Sequence, residues 1–271
     1  MEKYNAVILA GHTIRDNVIC EMENVPKKGL VKLGEKTFLE RIVNVILKCE
    51  KIGDIYITGM SEDEWKTDLP VIFNEDSSNI FRKVINIYDK FITKKETYSE
   101  IVVLLACDIP LITPEILTRL IEKCEAASGK GLDGVFYYSI VQREFMEAKF
   151  PNSNRTYAKF KNKFHVCGAD ISIFNVRKMQ NHEKLIDDLS DNRKNVLSQL
   201  IILNPFLVVR FLLKRLSLYK FMKSINRKVF KVKDGVHAVI NEDAEIAMDV
   251  DKPHQLEEVR RYYNENKEIY D

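Results

Sequence analysis

Ile101-Val-Val-Leu-Leu-Ala-Cys-Asp-Ile-Pro110 sets an unbroken apolar run in front of one carboxylate and then stops at proline. Apolar residues at every position describe a strand covered on both faces, as in a parallel sheet between helix layers, and not a half-solvated strand of alternating polarity. Such sheets take their ligands outside the carboxyl ends of their strands. Asp108 stands where this strand emerges, and a lone carboxylate at that edge reads as a metal ligand. The competing role is to cap the helix that begins near Pro114. Thr113 suits it better, standing directly before Pro114 at the first helical position with Glu115 following.

Outward from that strand, the first half of the chain alternates two periodicities. Strands are expected over 6–10, 54–58, 71–73 and 134–139, and helices over 37–48, 79–91 and 114–127. Strand and helix in alternation imply a mainly parallel sheet with helices on both sides and right-handed crossovers. The expected fold is therefore a single three-layer α/β/α domain with a Rossmann-like sheet spanning 1–271. Residues 142–168 break the rhythm with Arg143, Lys149, Arg155, Lys159, Lys161 and Lys163. They read either as a flap facing an acceptor or as a solvated edge hairpin whose charges discourage further pairing. Strand character returns over 169–174, and 176–225 reads as a helical insert. Within it, Leu207-Val-Val-Arg-Phe-Leu-Leu-Lys-Arg-Leu-Ser-Leu-Tyr-Lys-Phe-Met222 mixes large apolar groups with cations. Those charges and Pro205 exclude a membrane span, which needs about 20 predominantly apolar residues. A helix packed on the sheet or at a homodimer interface is expected ahead of one lying on an anionic membrane. Strands near 230–232 and 237–240 and a helix over 253–266 complete the chain.

With 271 residues, 45% hydrophobic and 30% charged, the chain can bury one sizeable core. A net charge of only +2 gives no field of the kind that would make nucleic acid the partner. Its five cysteines contain no CxxC pair and are odd in number, against both a disulfide framework and a structural zinc site. A reducing cytoplasm is the expected setting, since the chain enters a strand almost at once without the pattern of a signal peptide. Cys107 reads as core packing and not as a nucleophile.

Two further stretches carry chemistry. Tyr4-Asn-Ala-Val-Ile-Leu-Ala-Gly11 is a short apolar strand running into glycine, and Lys28-Gly-Leu-Val-Lys-Leu-Gly34 follows with a lysine suited to phosphate. Late in the chain, Ala247-Met-Asp-Val-Asp-Lys-Pro253 spaces two carboxylates by one residue before a helix that starts at proline. Those carboxylates also fit an Asx turn with a helix cap. Asn79, between a strand and a helix, is likewise either a nucleotide contact or a cap.

Taken in order, these segments resemble the nucleotidyltransferases of the glycosyltransferase-A-like superfamily, in particular the molybdenum cofactor guanylyltransferase-like NTP transferases, over roughly residues 4 to 260. The resemblance implies that Leu9, Ala10, Gly11, His12, Thr13 and Arg15 wrap a triphosphate, that Lys28, in preference to Lys27 or Lys32, contacts phosphate, and that Asn79 lies where relatives touch base or ribose. It implies a metal held by Asp108, Asp249 and Asp251, with Lys28, Asp108 and Asp251 as the catalytic set. Mg2+ is the implied ion, with Mn2+ as a substitute. The stretch from Lys149 through Gly168 looks like a sub-family insert, and Arg155, Tyr157, Gly168 and Asp170 are its candidate acceptor contacts. The implied activity is transfer of an NMP group from an NTP to a phosphorylated small-molecule or lipid-linked acceptor, with release of pyrophosphate. A sugar-nucleotide-dependent glycosyltransferase shares the fold and a DxD-like motif, but places that motif mid-chain. A catalytically weak nucleotide-binding protein also fits, because His12 stands where the family usually has a second glycine. A positive φ there would cost a non-glycine residue about 1 to 2 kcal/mol.

Overall fold

The computed structural model of the protein describes residues 3–75, 79–129, 131–182 and 215–270. One mixed sheet runs through it. Strands β1 (Tyr4–Leu9), β4 (Ile52–Thr58), β5 (Ile72–Asn74) and β6 (Ile101–Ala106) are mutually parallel, and β9 (His165–Asn175) lies antiparallel between β6 and β7 (Phe136–Gln142). Strand β10 (Val236–Asn241) adds parallel to β7, giving the order β10-β7-β9-β6-β1-β4-β5, while the short β8 (Ala158–Lys159) pairs with β9. Two more short strands, β2 (Lys32–Leu33) and β3 (Lys36–Thr37), form a separate hairpin.

Strand parity sorts the core into two layers, because successive side chains point to opposite faces. On one face Ala6, Ile8, Val103, Leu105, Ile171 and Ile173 meet α2 (Phe38–Leu47), α4 (Pro114–Ser128) and α8 (Pro253–Glu265). On the other, Val7, Val102 and Phe174 meet α3 (Ile80–Lys90) and α6 (Val176–Gln180). This is the expected three-layer α/β/α arrangement, and it explains why the 101–106 run is apolar throughout. Thr113 does cap α4, its hydroxyl accepting from the Ile116 amide at 3.3 Å.

The segment after β7 opens with α5 (Arg143–Lys149), which sinks Met146 into the core with Phe150 just beyond it, and β9 begins at His165, four residues earlier than the apolar pattern indicates. The expected strand at 230–232 does not form. Lys231 takes φ +53°, a left-handed conformation incompatible with extended backbone, after a π-helical turn at Ile225–Val229. The buried Asn226 side chain fixes that turn, accepting from the Gly235 and Val236 amides at 2.8 Å each. Much of the expected helical insert, including 207–214, lies outside the described residues. Within its described part, α7 (Leu218–Ser224) is a short helix begun by a Ser217 cap. Among the described residues no helix is long and apolar enough to cross a membrane.

One backbone contact sets the carboxyl edge of the sheet. Gly59, directly after β4, has φ +85°, and a Cβ there would lie 2.5 Å from both Cα and N of Gly11. Only glycine permits this conformation and this approach together. We expect Gly59→Ala to lower the melting temperature by roughly 5 to 10 °C, from about 3 kcal/mol of combined backbone strain and overpacking. An unchanged melting curve would show that the loop after β1 can retreat at no cost.

Candidate active site

Three segments far apart in sequence meet at this edge. The β1 end is pinned on both sides, with the Ala10 amide donating to the Thr58 carbonyl at 2.8 Å and the Cys107 amide donating to the Leu9 carbonyl at 3.1 Å. The third segment docks on the Asp108 backbone, whose carbonyl accepts from the Val250 amide at 3.0 Å. Asp249 and Asp251 are thereby held on either side of a residue tied to the end of β6. Neither is the N-cap residue of α8, a position taken by Lys252. The amide of Asp251 is instead taken by the Gln255 side-chain oxygen at 3.0 Å.

Lys28 stands at the centre. It comes from a short 3-10 turn, Lys28–Leu30, and its ammonium lies 2.5 Å from Asp108 Oδ2, 2.7 Å from Asp251 Oδ1 and 3.0 Å from Asp16 Oδ1. Lys28, Asp16 and Asp108 are all buried, while Asp251 is partly open to solvent. Burial opposes the lysine charge, but Asp108 and Asp251 more than offset it and hold Lys28 above its ordinary pKa. For Asp108 burial dominates and pushes the carboxyl up, with Lys28 pulling it back. Lys27 points elsewhere, to the Gly59 carbonyl at 2.8 Å and to Glu64. Of the adjacent pair, Lys28 alone reaches the carboxylates.

Asp16 was not among the residues singled out by sequence. Its Oδ2 accepts from the Thr13 amide at 2.6 Å and from the Thr13 hydroxyl at 3.0 Å, while Oδ1 faces Lys28. It is the strut between the loop after β1 and the lysine. The signal was present in Thr13-x-x-Asp16, the spacing of a capping box two residues after Gly11.

The loop itself differs from expectation in two respects. His12 is not among the residues with positive φ, so no left-handed strain arises there. Its ring turns away from the loop, Nε2 meeting Asn17 Oδ1 at 2.8 Å. And not all amides from Ala10 to Thr13 are available to phosphate, because Ala10 extends the β1–β4 ladder and Thr13 is bonded to Asp16. Among the described residues, the amides of Gly11 and His12 have no partner within the chain. Arg15 lies in the 3-10 turn Ile14–Asp16. Asn79 caps α3, accepting from the Arg82 amide at 2.9 Å. One cation escaped the sequence reading: the Lys83 ammonium lies 4.0 Å from where a Cβ on Gly11 would stand.

On the far side of the carboxylates, Arg155 ion-pairs with Asp249, lies 3.7 Å from Asp170 Oδ2 and donates to the Gly168 carbonyl at 3.2 Å. Burial, reinforced by Asp108, pushes the Asp170 carboxyl up to about 7. Gly168 makes room for a neighbour, since a Cβ there would lie 2.1 Å from the Tyr138 hydroxyl. Tyr157 sits half-buried with the Arg143 guanidinium 5.6 Å above its ring. Cys107 is buried, and burial pushes its thiol up, which keeps it neutral and unsuited to attack.

The donor set suits a hard divalent cation. One oxygen from each of Asp108, Asp249 and Asp251 falls within 4.8 Å of the others, and the second Asp108 oxygen, Oδ1, is buried without a hydrogen-bond partner among the described residues. Oxygen donors alone fit magnesium or manganese. We expect Lys28→Met to lower the melting temperature by roughly 6 to 12 °C, because losing one partner of a buried ion cluster costs about 3 to 5 kcal/mol. Millimolar MgCl2 should restore part of that loss in the variant. No recovery with either Mg2+ or Mn2+ would argue against a divalent site. His12→Gly should bring no gain in nucleotide affinity, since there is no strain to relieve. A clear gain by calorimetric titration would refute that.

The sequence pattern of the MobA-like NTP transferase domain matches residues 6–144. No curated protein sequence is detectably similar to the chain. Among solved structures, a hypothetical transferase from Thermus thermophilus aligns over 94% of this chain and 99% of its own, with 19% identity and a TM-score of 0.74. A CMP:2-keto-3-deoxy-manno-octonic acid synthetase complexed with CTP aligns over 98% and 99%, with 12% identity and a TM-score of 0.57. The 2-C-methyl-D-erythritol 4-phosphate cytidylyltransferase, also from Thermus thermophilus, aligns over 96% and 100%, at 11% and 0.52. These three share the fold. The family match runs from β1 through the Asp108 edge to the end of β7, just over half of the chain, and on it the protein belongs to the MobA-like NTP transferases and is a nucleotidyltransferase.

Proposed function

We propose that the protein transfers an NMP group from an NTP to the phosphate of a small acceptor and releases pyrophosphate. The observation that carries this reading is the cluster in which Lys28 bridges Asp16, Asp108 and Asp251 beside the Gly11–His12 amides. In the reaction an acceptor phosphate oxygen attacks the α-phosphorus, a P–O bond forms, and the bond to the β-phosphate oxygen breaks. The attacking oxygen is already anionic, so no base need remove a proton, and the charge carried in by both substrates leaves on the diphosphate ester and pyrophosphate. Catalysis then consists mainly of positioning and charge neutralisation.

Each group has a part in that scheme. Asp108 and Asp251, with Asp249 beside them, would hold magnesium, which when bound neutralises phosphate oxygens and polarises the phosphoryl centre. The Gly11 and His12 amides form the available part of a nest for the β and γ phosphates. Lys28 meets charge accumulating on the leaving group, and Lys83 lies on the same side. Arg155 faces the acceptor side.

The test is magnesium-dependent pyrophosphate release over an NTP panel. CTP heads that panel because a neighbour in fold was solved with it. Asp108→Asn and Asp251→Asn should each reduce turnover by about 100-fold or more, the scale of losing an electrostatic contact made in the transition state. Wild-type turnover in either variant would rule out the shared site. Lys28→Ala should raise the nucleotide KM more than Lys27→Ala, and equal kinetics in the two would remove Lys28 from the phosphate role.

A further inference from the structure

We infer that a cavity of about 440 Å³ walled by residues 143–159 is the acceptor pocket, and that it takes a small polyhydroxylated phosphate ester with its phosphate at Arg155. The inference rests on the nucleotidyl-transfer reading and names the class of acceptor. The volume suits a molecule of sugar-phosphate size, near the lower end of the roughly 300 to 1,000 Å³ range of ligand sites.

Charge supports an anion. Arg143, Arg155 and Lys159 line the cavity against one carboxylate, Glu147, which is already paired with Arg143 at 2.7 Å. Lys159 is exposed and has no ion-pair partner among the described residues. Arg155 belongs both to this wall and to the carboxylate cluster through Asp249. A phosphate held at its guanidinium is thereby directed at the proposed metal centre.

Polarity narrows the rest of the molecule. Asn154 and Thr156 present exposed polar side chains with no hydrogen bond among the described residues. Pro151 is the one aliphatic group among the lining residues. A lipid chain would bury its apolar surface against hydrogen-bonding groups left unsatisfied, at a cost of about 1 to 3 kcal/mol for each such group. A polyol satisfies them.

The wall is also tied to the catalytic edge. The buried Gln255 accepts from the Asp251 amide and donates to the Ser153 carbonyl at 3.4 Å, so one side chain fixes the Asp251 turn and the pocket floor together.

The experiment uses the full chain with Mg2+ and whichever NTP binds in equilibrium dialysis. Pyrophosphate release is measured with glycerol 3-phosphate, ribitol 5-phosphate and glucose 1-phosphate as probes, and with isopentenyl phosphate and unphosphorylated ribitol as contrasts. Turnover is expected with at least one of the three polyol phosphates and with neither contrast. Lys159→Glu, at an exposed position, should raise the KM of that acceptor about tenfold or more while leaving kcat within about twofold and NTP binding unchanged. Turnover with isopentenyl phosphate alone, an unaltered acceptor KM in Lys159→Glu, or NTP binding without turnover on any of the three esters would each overturn the pocket assignment. Failure to bind any NTP would overturn the reading of the active site itself.

Discussion

The ammonium of Lys28 is the interaction on which the catalytic edge depends. Asp16, Asp108 and Asp251 come from three separate segments, and brought together without a cation they would repel one another in a region largely closed to water. Burying such a cluster is not a route to stability for its own sake, because desolvation consumes most of the Coulombic gain. The arrangement has a different use. In the proposed reaction it would keep Asp108, Asp249 and Asp251, whose oxygens lie within 4.8 Å of one another, together for a cation, while the loop after β1 stays joined to the lysine through Asp16. Each member is costly alone and tolerable only in company.

The sheet makes that company possible. Parallel strands β1, β4 and β6 bring their carboxyl ends to one edge, so Leu9, Thr58 and Ala106 finish side by side. The insertion of β9 antiparallel beside β6 then carries the chain past that edge in the opposite direction, and places Gly168 and Asp170 where Arg155 can reach them. Close packing of Gly11 against Gly59 lets the two strand ends approach without side chains between them. What reads locally as a glycine-ended strand is, in three dimensions, a backbone-to-backbone contact that leaves the Gly11 and His12 amides exposed at the rim.

Much of this was legible in the residues themselves. A continuous apolar run ending in Asp-x-Pro identified β6 to the residue, because a strand covered on both faces has no other pattern to show. The late aspartates were also legible by their order and spacing. What escaped depended on contacts across the fold. The 230–232 run looks apolar enough for a strand, yet Asn226 and the left-handed Lys231 turn the backbone there. The strain anticipated at His12 does not arise. The left-handed conformation beside the loop belongs to Gly59, far along the chain, which no reading of the loop alone reveals. Asp16 was overlooked because a carboxylate three residues after a threonine is ordinarily only a helix cap. Here the same carboxylate has a second oxygen, and that oxygen faces a buried lysine.

The charges at the edge are divided between two cations on opposite sides. Lys28 meets Asp16, Asp108 and Asp251, whereas Arg155 meets Asp249 and Asp170. The two differ in kind. A lysine ammonium is a compact point charge that can turn among several oxygens, while an arginine guanidinium is a planar fork that fixes the direction of what it binds. A triphosphate presents many oxygens in changing positions as its bond breaks, and a point charge can follow them. In the proposed reaction an acceptor phosphate would have to arrive in line with that bond, which asks for a fork held on more than one side. The Gly168 carbonyl, Asp249 and Asp170 hold Arg155 in that way. The carboxylate cluster therefore orients its cations as much as the cations neutralise it.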